Sequence, residues 1–237
     1  MKERENQEYT ILKVVASADQ PVGSGLLREI LDKQGRKISE ATAGRLLREL
    51  DFKGYTERVG YQGRVLTQDG KQQLEELGQR YEHTRYGDRL IKSLQLDGKQ
   101  DLLDILVARR AIETEIAGLA AENASTVEIS AMRQVLRKQE LLIREGQTGA
   151  KEDIEFHQGL AKASRNRVLS AAIDLIRQNG QLSPVLEIIR REVKGELVED
   201  HLQILRAVGE RNAKKAAEHM YIHIQGLIQD VEKYWEV

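Results

Sequence analysis

The 237-residue chain contains no cysteine, which excludes disulfides, thiolate catalysis and cysteine-ligated zinc. Only two prolines, Pro21 and Pro184, interrupt it, and aromatic residues make up 4% of the sequence. So few aromatic residues argue against a platform on which the bases of single-stranded nucleic acid stack. The chain is 40% hydrophobic and 32% charged. That balance is typical of a soluble protein built from amphipathic helices.

Long apolar runs are also missing. No stretch approaches the ~20 residues that a helix needs to span a bilayer, and the first six residues lack the apolar core of a secretory signal. We therefore expect a cytoplasmic protein with no membrane partner. The formal net charge is −1, without the excess of basic residues that a nucleic-acid binder often has. Any binding to DNA has to be argued from where the charges lie.

Residues 1–80 have the order of a winged helix-turn-helix domain: three helical patterns, a hairpin and a further helix. Ser39 is a good N-cap for the third helix, and Gly54 ends it. The hairpin is indicated by Gly60 and Gly63, which flank a short loop between two β-prone runs. In this fold the third helix enters the major groove of DNA. A winged helix used for protein contact or dimerisation is the alternative interpretation.

The expected DNA contacts are polar or basic residues at outward positions of this domain. The third helix would contact bases or nearby phosphates, and the residues beside it and in the wing would contact phosphates. The residues assigned to DNA are Thr42, Arg45 and Arg48 on the helix, with Lys37, Arg58 and Arg64 around it.

The rest of the chain predicts helices without strands. Residues 81–98 are polar and indicate a connecting helix with a bend before residue 99. In residues 99–237, apolar residues recur at helical spacing in about seven segments, with breaks that include Gly180 and Gly195. Short connections favour antiparallel neighbours. We therefore predict a mainly α protein, with an N-terminal winged helix-turn-helix that carries a small β wing and a C-terminal antiparallel all-helical bundle.

Asp153 and His157 are four positions apart, so on a helix both side chains leave the same face. His201 and His223 follow in helical context. Three imidazoles and a carboxylate from three helices suit one divalent metal, with Zn²⁺ expected first and Ni²⁺ or Mn²⁺ as alternatives. His219 competes with His223 for the last position. The alternative interpretation is a surface pair or a set of buried histidines satisfied without metal.

Six motifs follow one another in residues 99–237. In chain order they are Arg109-Arg110-Ala111-Ile112-Glu113, Leu119-Ala120-Ala121, Asp153-x-x-x-His157, Ala163-Ser164-Arg165-Asn166, Glu199-Asp200-His201-x-x-Ile204 and Ala217-x-x-Met220-x-x-His223. This series resembles the FCD domain, the C-terminal effector domain of the FadR-type branch of GntR regulators. The resemblance implies that the aspartate and three histidines above bind a metal, that Arg109 reaches an effector carboxylate, and that Asn166 lines the cavity.

The N-terminal domain resembles a different family. The pattern Ile38-Ser39-x-x-Thr42-x-x-Arg45-x-Leu47-x-x-Leu50-x-x-x-Gly54-Tyr55 is similar to the small winged-helix domains of NrpR and ribonuclease R. FadR-type proteins normally begin with a GntR winged helix, whose signature residues 1–80 lack. The FCD-like domain is therefore expected to be joined to a winged helix of another type.

Together these observations predict a ligand-responsive bacterial transcriptional regulator that is not an enzyme. A homodimer would bind a palindromic operator in double-stranded DNA, and a small carboxylate bound at the metal would change the affinity for DNA. One alternative is a metal-dependent hydrolase or lyase, for which Glu152, Glu155 and Glu199 are the nearest acid–base candidates. Another is a regulator that senses the metal itself.

Overall fold

The structure is a computed structural model, and it describes residues 3–177, 182–193 and 198–236. Helices dominate this part of the chain, with one two-stranded antiparallel sheet. In chain order the elements are α1 (Glu3–Ser17), α2 (Ser24–Lys33), α3 (Glu40–Phe52), β1 (Thr56–Val59), β2 (Gly63–Leu66), α4 (Gln68–Ser93), α5 (Lys99–Asn123), α6 (Thr126–Arg144), α7 (Ala150–Ala163), α8 (Arg167–Arg177), α9 (Leu182–Glu192), α10 (Val198–Gly209) and α11 (Ala213–Tyr234). The predicted mainly α fold is confirmed.

The chain divides into two compact units, Met1–Leu90 and Ile91–Val237. Each unit has its own hydrophobic core. The division falls near the end of α4, within the stretch that the sequence predicts as a connection. None of the described helices is long and apolar enough to cross a membrane.

In the first unit, α3 begins and ends where its sequence predicts. The Ser39 side chain accepts a hydrogen bond from the Thr42 backbone N–H at 3.1 Å, so it caps the helix. Beyond the last turn, Gly54 adopts a positive φ of 76°, a conformation that L side chains rarely tolerate. Leu46, Leu47 and Leu50 bury one face of α3 in the core.

The wing is a hairpin that is hydrogen-bonded to a third segment of the chain, around Val22. Strands β1 and β2 pair from Thr56↔Leu66 to Val59↔Gly63. The backbone of Val22 adds to β2, exchanging two hydrogen bonds with Arg64 at 2.9 and 3.1 Å. A Cβ on Gly63 would lie 2.6 Å from the backbone carbonyl carbon of Pro21. Glycine at this position therefore lets the three segments approach.

The second unit consists of α5 to α11 in the described residues, which agrees with the seven helical segments predicted. The long helices α5 and α11 pack along each other, α10 packs against both, and α7 packs against α5. Ser125 starts α6 with a capping box, accepting from the Glu128 backbone while the Glu128 side chain accepts from Ser125. The predicted breaks at Gly180 and Gly195 lie outside the described residues. This packing buries the facing sides of α7, α10 and α11 together.

Substitution of Gly70 on α4 tests how closely this helix packs against the backbone of Tyr55, just before β1. An ideal Cβ on Gly70 would lie 1.9 Å from the Tyr55 carbonyl oxygen, so Gly70→Ala has to displace backbone. We expect it to lower the free energy of unfolding by about 1–3 kcal/mol, measured by urea denaturation followed by circular dichroism.

Gly87→Ala is the matched control on the same helix, because a Cβ there meets nothing within 4 Å. Because alanine has a higher helix propensity than glycine, this substitution is expected to stabilise the protein by up to about 1 kcal/mol. Equal effects of the two substitutions would contradict the close approach of α4 to Tyr55.

Candidate metal centre and nucleic-acid interface

Three buried histidines meet in the core of the second unit. His157 on α7, His201 on α10 and His223 on α11 are each at most 1% exposed. The Nε2 atom of His201 lies 3.3 Å from Nε2 of His157 and 3.3 Å from Nε2 of His223. Among the described residues these three histidines are the group whose ligand atoms could hold one metal ion.

The opposite ring nitrogen of each histidine faces an acceptor. Nδ1 of His157 lies against a carboxylate oxygen of Glu113. Nδ1 of His223 is 3.2 Å from an oxygen of Asp200, and Nδ1 of His201 is 3.2 Å from the Gln139 amide oxygen.

These acceptors favour the proton of each neutral imidazole on Nδ1, because a carboxylate or amide oxygen can only accept there. The three Nε2 atoms then carry lone pairs that point toward one another. Outer-sphere partners of this kind orient histidine ligands in metal sites.

Asp153 turns one oxygen toward this group. Its Oδ1 lies 3.6 Å from Nε2 of His157 and 3.5 Å from Nε2 of His201. Its other oxygen, Oδ2, accepts hydrogen bonds from Arg177 at 3.1 Å and from the Ser183 hydroxyl at 3.0 Å. Arg177 and Ser183 thus hold the carboxylate so that Oδ1 faces the imidazoles.

A buried charge network lies behind the candidate ligands. Glu113 accepts a hydrogen bond from Arg109 Nε at 2.6 Å and from Arg177 at 3.2 Å. Burial would raise the pKa of Glu113, but Arg109 and Arg177 outweigh it and hold this pKa well below the ordinary value. Burial would likewise raise the pKa of Asp153, and Arg177 together with His157 holds it well below its usual range. Both carboxylates are therefore ionised.

Burial also keeps two of the three imidazoles, those of His201 and His223, neutral. Burial and the neighbouring His223 and His157 lower the pKa of His201 well below its ordinary value. Burial lowers the pKa of His223 to about 4, although its bond to Asp200 opposes the shift. Neutral imidazole is the form that binds a metal.

The residues present fit a divalent metal. The lone pair on Nε2 of His201 lies 3.3 Å from Nε2 of each of the other two histidines. These lone pairs repel, and a cation among them would convert the repulsion into attraction. Zinc binds imidazole nitrogen at ~2.0–2.1 Å, so two ligands at tetrahedral angles lie about 3.3 Å apart. Three imidazoles and one carboxylate are also a donor set that zinc and its neighbours prefer.

A cavity of about 20 Å³ adjoins the ligands, with Asp153, His223, Gln139 and Ser183 in its wall. Arg109 also lines it and is 1% exposed. The Nη1 atom of Arg109 is buried and has no hydrogen-bond partner among the described residues. A buried guanidinium N–H without a partner is costly, so this atom marks a place where an anionic acceptor would be stabilised.

The structure does not bring the two remaining candidates of this unit to the cavity. The Asn166 side chain accepts from the backbone N–H groups of Val168 and Leu169, both at 3.1 Å, and so caps the start of α8. It lies beyond the C-terminal end of α7, whereas Asp153 lies in the first turn of that helix. His219 is half-buried on α11, outside the group formed by the three histidines.

In the first unit, most of the residues assigned to DNA are accessible. Arg45, Arg48, Lys37 and Arg58 are exposed, and Thr42 is half-buried. The two arginines of α3 follow Thr42 at intervals of three residues, so all three lie near one face of the helix. Arg45 forms an exposed ion pair with Glu49, which is weak enough to exchange for a phosphate.

Arg64 differs from this group and corrects the prediction made for it. It is 9% exposed, and its Nε donates to both carboxylate oxygens of Asp51 at 3.0 and 2.9 Å. Thr56 donates to the same carboxylate at 2.7 Å. Arg64 therefore joins the wing to the last turn of α3 instead of facing a phosphate.

Residues 104–226, more than half of the chain, match the FCD domain. The chain belongs to the FCD domain family. Residues 9–74 match the ribonuclease R winged-helix domain. The two resemblances predicted from the motifs are thus confirmed, and the FCD domain follows a winged helix of another family.

Two relatives and one solved structure illustrate the similarity. The HTH-type transcriptional regulator LutR of Bacillus subtilis is 27% identical over 148 residues, covering 58% of this chain and 65% of LutR. The global nitrogen regulator NrpR of Methanocaldococcus jannaschii is 35% identical over 75 residues, covering 32% of this chain and 14% of NrpR. Streptococcus agalactiae GntR shares the fold, with a TM-score of 0.50 at 21% identity over 95% of this chain and 99% of that chain. The chain thus spans less than two thirds of these curated relatives.

Sequence reasoning missed the outer partners of the FCD site. Glu113 carried a usable signal, since it follows Arg109 by four positions on one helix, and Asp200 directly precedes His201. The sequence contains no such signal for Gln139 or Arg177, because a lone glutamine or arginine in an amphipathic helix is usually solvated.

The candidate metal ligands can be compared with His219. Replacing His201 by glutamine removes one candidate ligand, and we expect zinc affinity to fall by more than the ~10–100-fold typical of losing an outer partner. His219→Gln, on α11 but outside the cluster, should leave it unchanged. The zinc retained by each variant after dialysis is measured by elemental analysis. Equal losses of zinc in both variants would argue against this ligand set.

Arg64 and Arg58 form a matched pair for the wing. Arg64→Met leaves Asp51 without two hydrogen bonds and is expected to cost about 1–3 kcal/mol of unfolding free energy. Arg58 also approaches Asp51, with its Nε 3.7 Å from Oδ2, but its side chain is 63% exposed. Such an exposed ion pair contributes little, so Arg58→Met should cost much less than Arg64→Met, at most about 1 kcal/mol. Urea denaturation measures the free energy of unfolding of both variants. No change in Arg64→Met would refute the stabilising role of the Arg64–Asp51 ion pair.

Proposed function

We propose that this FCD protein is a ligand-responsive transcriptional regulator. Its winged helix binds operator DNA, and its FCD domain holds a divalent metal beside a site for a small carboxylate. One observation carries the proposal. Three imidazole nitrogens and a carboxylate oxygen converge in the core of a chain whose other unit exposes basic residues along its third helix.

Asp153, His157, His201 and His223 are the proposed metal ligands, with zinc favoured over nickel or manganese. When bound, the metal supplies a Lewis-acidic position at which an oxygen atom of the effector can bind. The outer partners hold the ligands for it. Two of the imidazoles have a carboxylate behind them, which strengthens the nitrogen as a donor.

Charge balance supports an anionic effector. Around the ligands, Glu113 and Asp153 are balanced by Arg109 and Arg177, and Asp200 and Asp230 share Arg190. A divalent cation would therefore leave an excess of positive charge in a buried site, where unpaired charge is costly. A carboxylate that reaches Arg109 Nη1 would reduce this excess and satisfy the unpartnered N–H.

The size of the cavity supports a coupling between binding and conformation. A volume of about 20 Å³ holds about one water molecule, so even a small carboxylate has to displace the wall. The wall includes Ser183 and Leu186 of α9 and Leu227 of α11. An effector that binds only the enlarged arrangement shifts the population toward it.

The first unit is proposed to bind DNA as half of a homodimer. Thr42, Arg45 and Arg48 on α3 would contact bases or phosphates in the major groove, with Lys37 and Arg58 on adjacent phosphates. Arg64 is left out, because Asp51 already uses its guanidinium. Two copies would match the two half-sites of a palindromic operator.

A metal-dependent enzyme is less well supported. Such an enzyme needs an acid or base within reach of the metal. Glu152 is buried and paired with Lys138 at 2.6 Å, and the nearer carboxylates, Glu113 and Asp153, are held ionised by arginines. The relatives named above are described as regulators. A metal-sensing regulator differs from the proposal in that metal alone would change DNA affinity.

DNA binding provides the direct test. We expect zinc-loaded protein to bind the promoter DNA next to its own gene in an electrophoretic mobility assay. One of a panel of small carboxylates should change that affinity by about 5–150-fold, the usual range of allosteric coupling. Arg109→Lys should reduce the response to the carboxylate while binding without effector remains.

Arg48→Ala should weaken DNA binding, because it removes a contact from the exposed face of α3. Arg144→Ala is the matched control, since Arg144 is exposed on α6 of the other unit. No binding at low salt with metal and acids present would refute the proposal, and a response to metal without any acid would favour the metal sensor.

A further inference from the structure

We propose that Gln139 is a positioning residue that fixes the tautomer of His201 and thereby turns its Nε2 lone pair toward the metal. The inference rests on the metal site of the proposed function. It concerns a residue of α6 that is not itself a ligand. Gln139 is 1% exposed, which is unusual for a glutamine and calls for a structural reason.

The orientation of the Gln139 amide follows from its second partner. Its Nε2 donates to the Gly149 carbonyl oxygen at 3.3 Å. A carbonyl oxygen can only accept, so the NH₂ group of the amide has to face Gly149. The amide oxygen is thereby directed at Nδ1 of His201, 3.2 Å away.

This orientation determines the proton position on His201. The amide oxygen can only accept, so Nδ1 of His201 carries the proton and Nε2 is left with its lone pair. His201 lies between the other two histidines, with Nε2 at 3.3 Å from each of theirs. If the proton moved to Nε2, it would point at the metal position and block this ligand.

His201 depends on this bond more than its neighbours depend on theirs. His157 and His223 have a carboxylate at Nδ1, Glu113 and Asp200 respectively. A negative charge holds a proton strongly on the adjacent nitrogen. The described contacts of His201 Nδ1 give it only the neutral amide of Gln139, so this one side chain selects its tautomer.

The packing around Gly149 fixes Gln139 relative to Asp153. A Cβ on Gly149 would lie 2.8 Å from Gln139 Cγ, so glycine allows α6 and the start of α7 to approach. The Gly149 carbonyl also accepts the Asp153 backbone N–H at 2.9 Å. One carbonyl oxygen thus anchors both the amide behind His201 and the first turn of the helix that carries Asp153.

The test compares Gln139→Met with wild type. Methionine keeps the length of the side chain but offers Nδ1 no comparable acceptor. In metal-free protein labelled with ¹⁵N-histidine, we expect the Nδ1–H tautomer of His201 in wild type and a large share of the Nε2–H tautomer in the variant. Zinc affinity, measured by competition with a chromophoric chelator, should fall by about 10–100-fold.

Gln139→Glu separates positioning from packing. A carboxylate restores an acceptor for His201 Nδ1 but cannot donate to Gly149, so the stability of the protein should fall. The Nδ1–H tautomer of His201 should be restored, and zinc affinity should return to within about 10-fold of wild type. Gln134→Met, at an exposed position of α6, controls for the substitution itself and should change neither.

An unchanged His201 tautomer in Gln139→Met would overturn the proposal, as would equal zinc losses in the Met and Glu variants. If wild-type protein binds no metal, the proposed function fails. The tautomer measurement in metal-free protein would still decide the role of Gln139.

Discussion

The second unit depends on three imidazoles that are buried with their lone pairs facing one another. Such an arrangement is unfavourable unless each ring is held from behind, and the structure supplies a carboxylate or an amide for each. Glu113 is itself buried and charged, so it requires Arg109 and Arg177 in turn. Removing one member would leave an uncompensated buried charge. Helices α5 to α11 are therefore joined through one polar network.

The fold could be predicted from the sequence because its signals are local. Ser39, Gly54 and Ser125 act within one turn of the chain, and a hydrophobic stripe at helical spacing predicts the helix that carries it. Asp153 and His157 belong to the same category, since their spacing alone puts them on one face. His201 and His223 needed the resemblance to the FCD domain, because nothing local connects three separate helices.

The remaining site residues could not be predicted, because their environment is tertiary. Whether a charged or amide side chain is buried depends on which partner a distant element brings to it. Arg64 looks like an outward wing residue until Asp51 is found beside it. Asn166 follows a family motif, yet in the structure it caps a helix. Arg177 and Gln139 resemble solvated residues in sequence, although both are almost fully buried.

The ion pair between Asp51 and Arg64 also constrains how the protein can diverge. A change of Asp51 alone leaves the buried Arg64 guanidinium without this ion pair, so positions 51 and 64 are expected to covary among descendants. Phe52 and Tyr61, by contrast, are almost fully exposed, so substitutions at these positions leave the ion pair intact. Residues at the surface of this winged helix can therefore change over evolution while the ion pair inside it is retained.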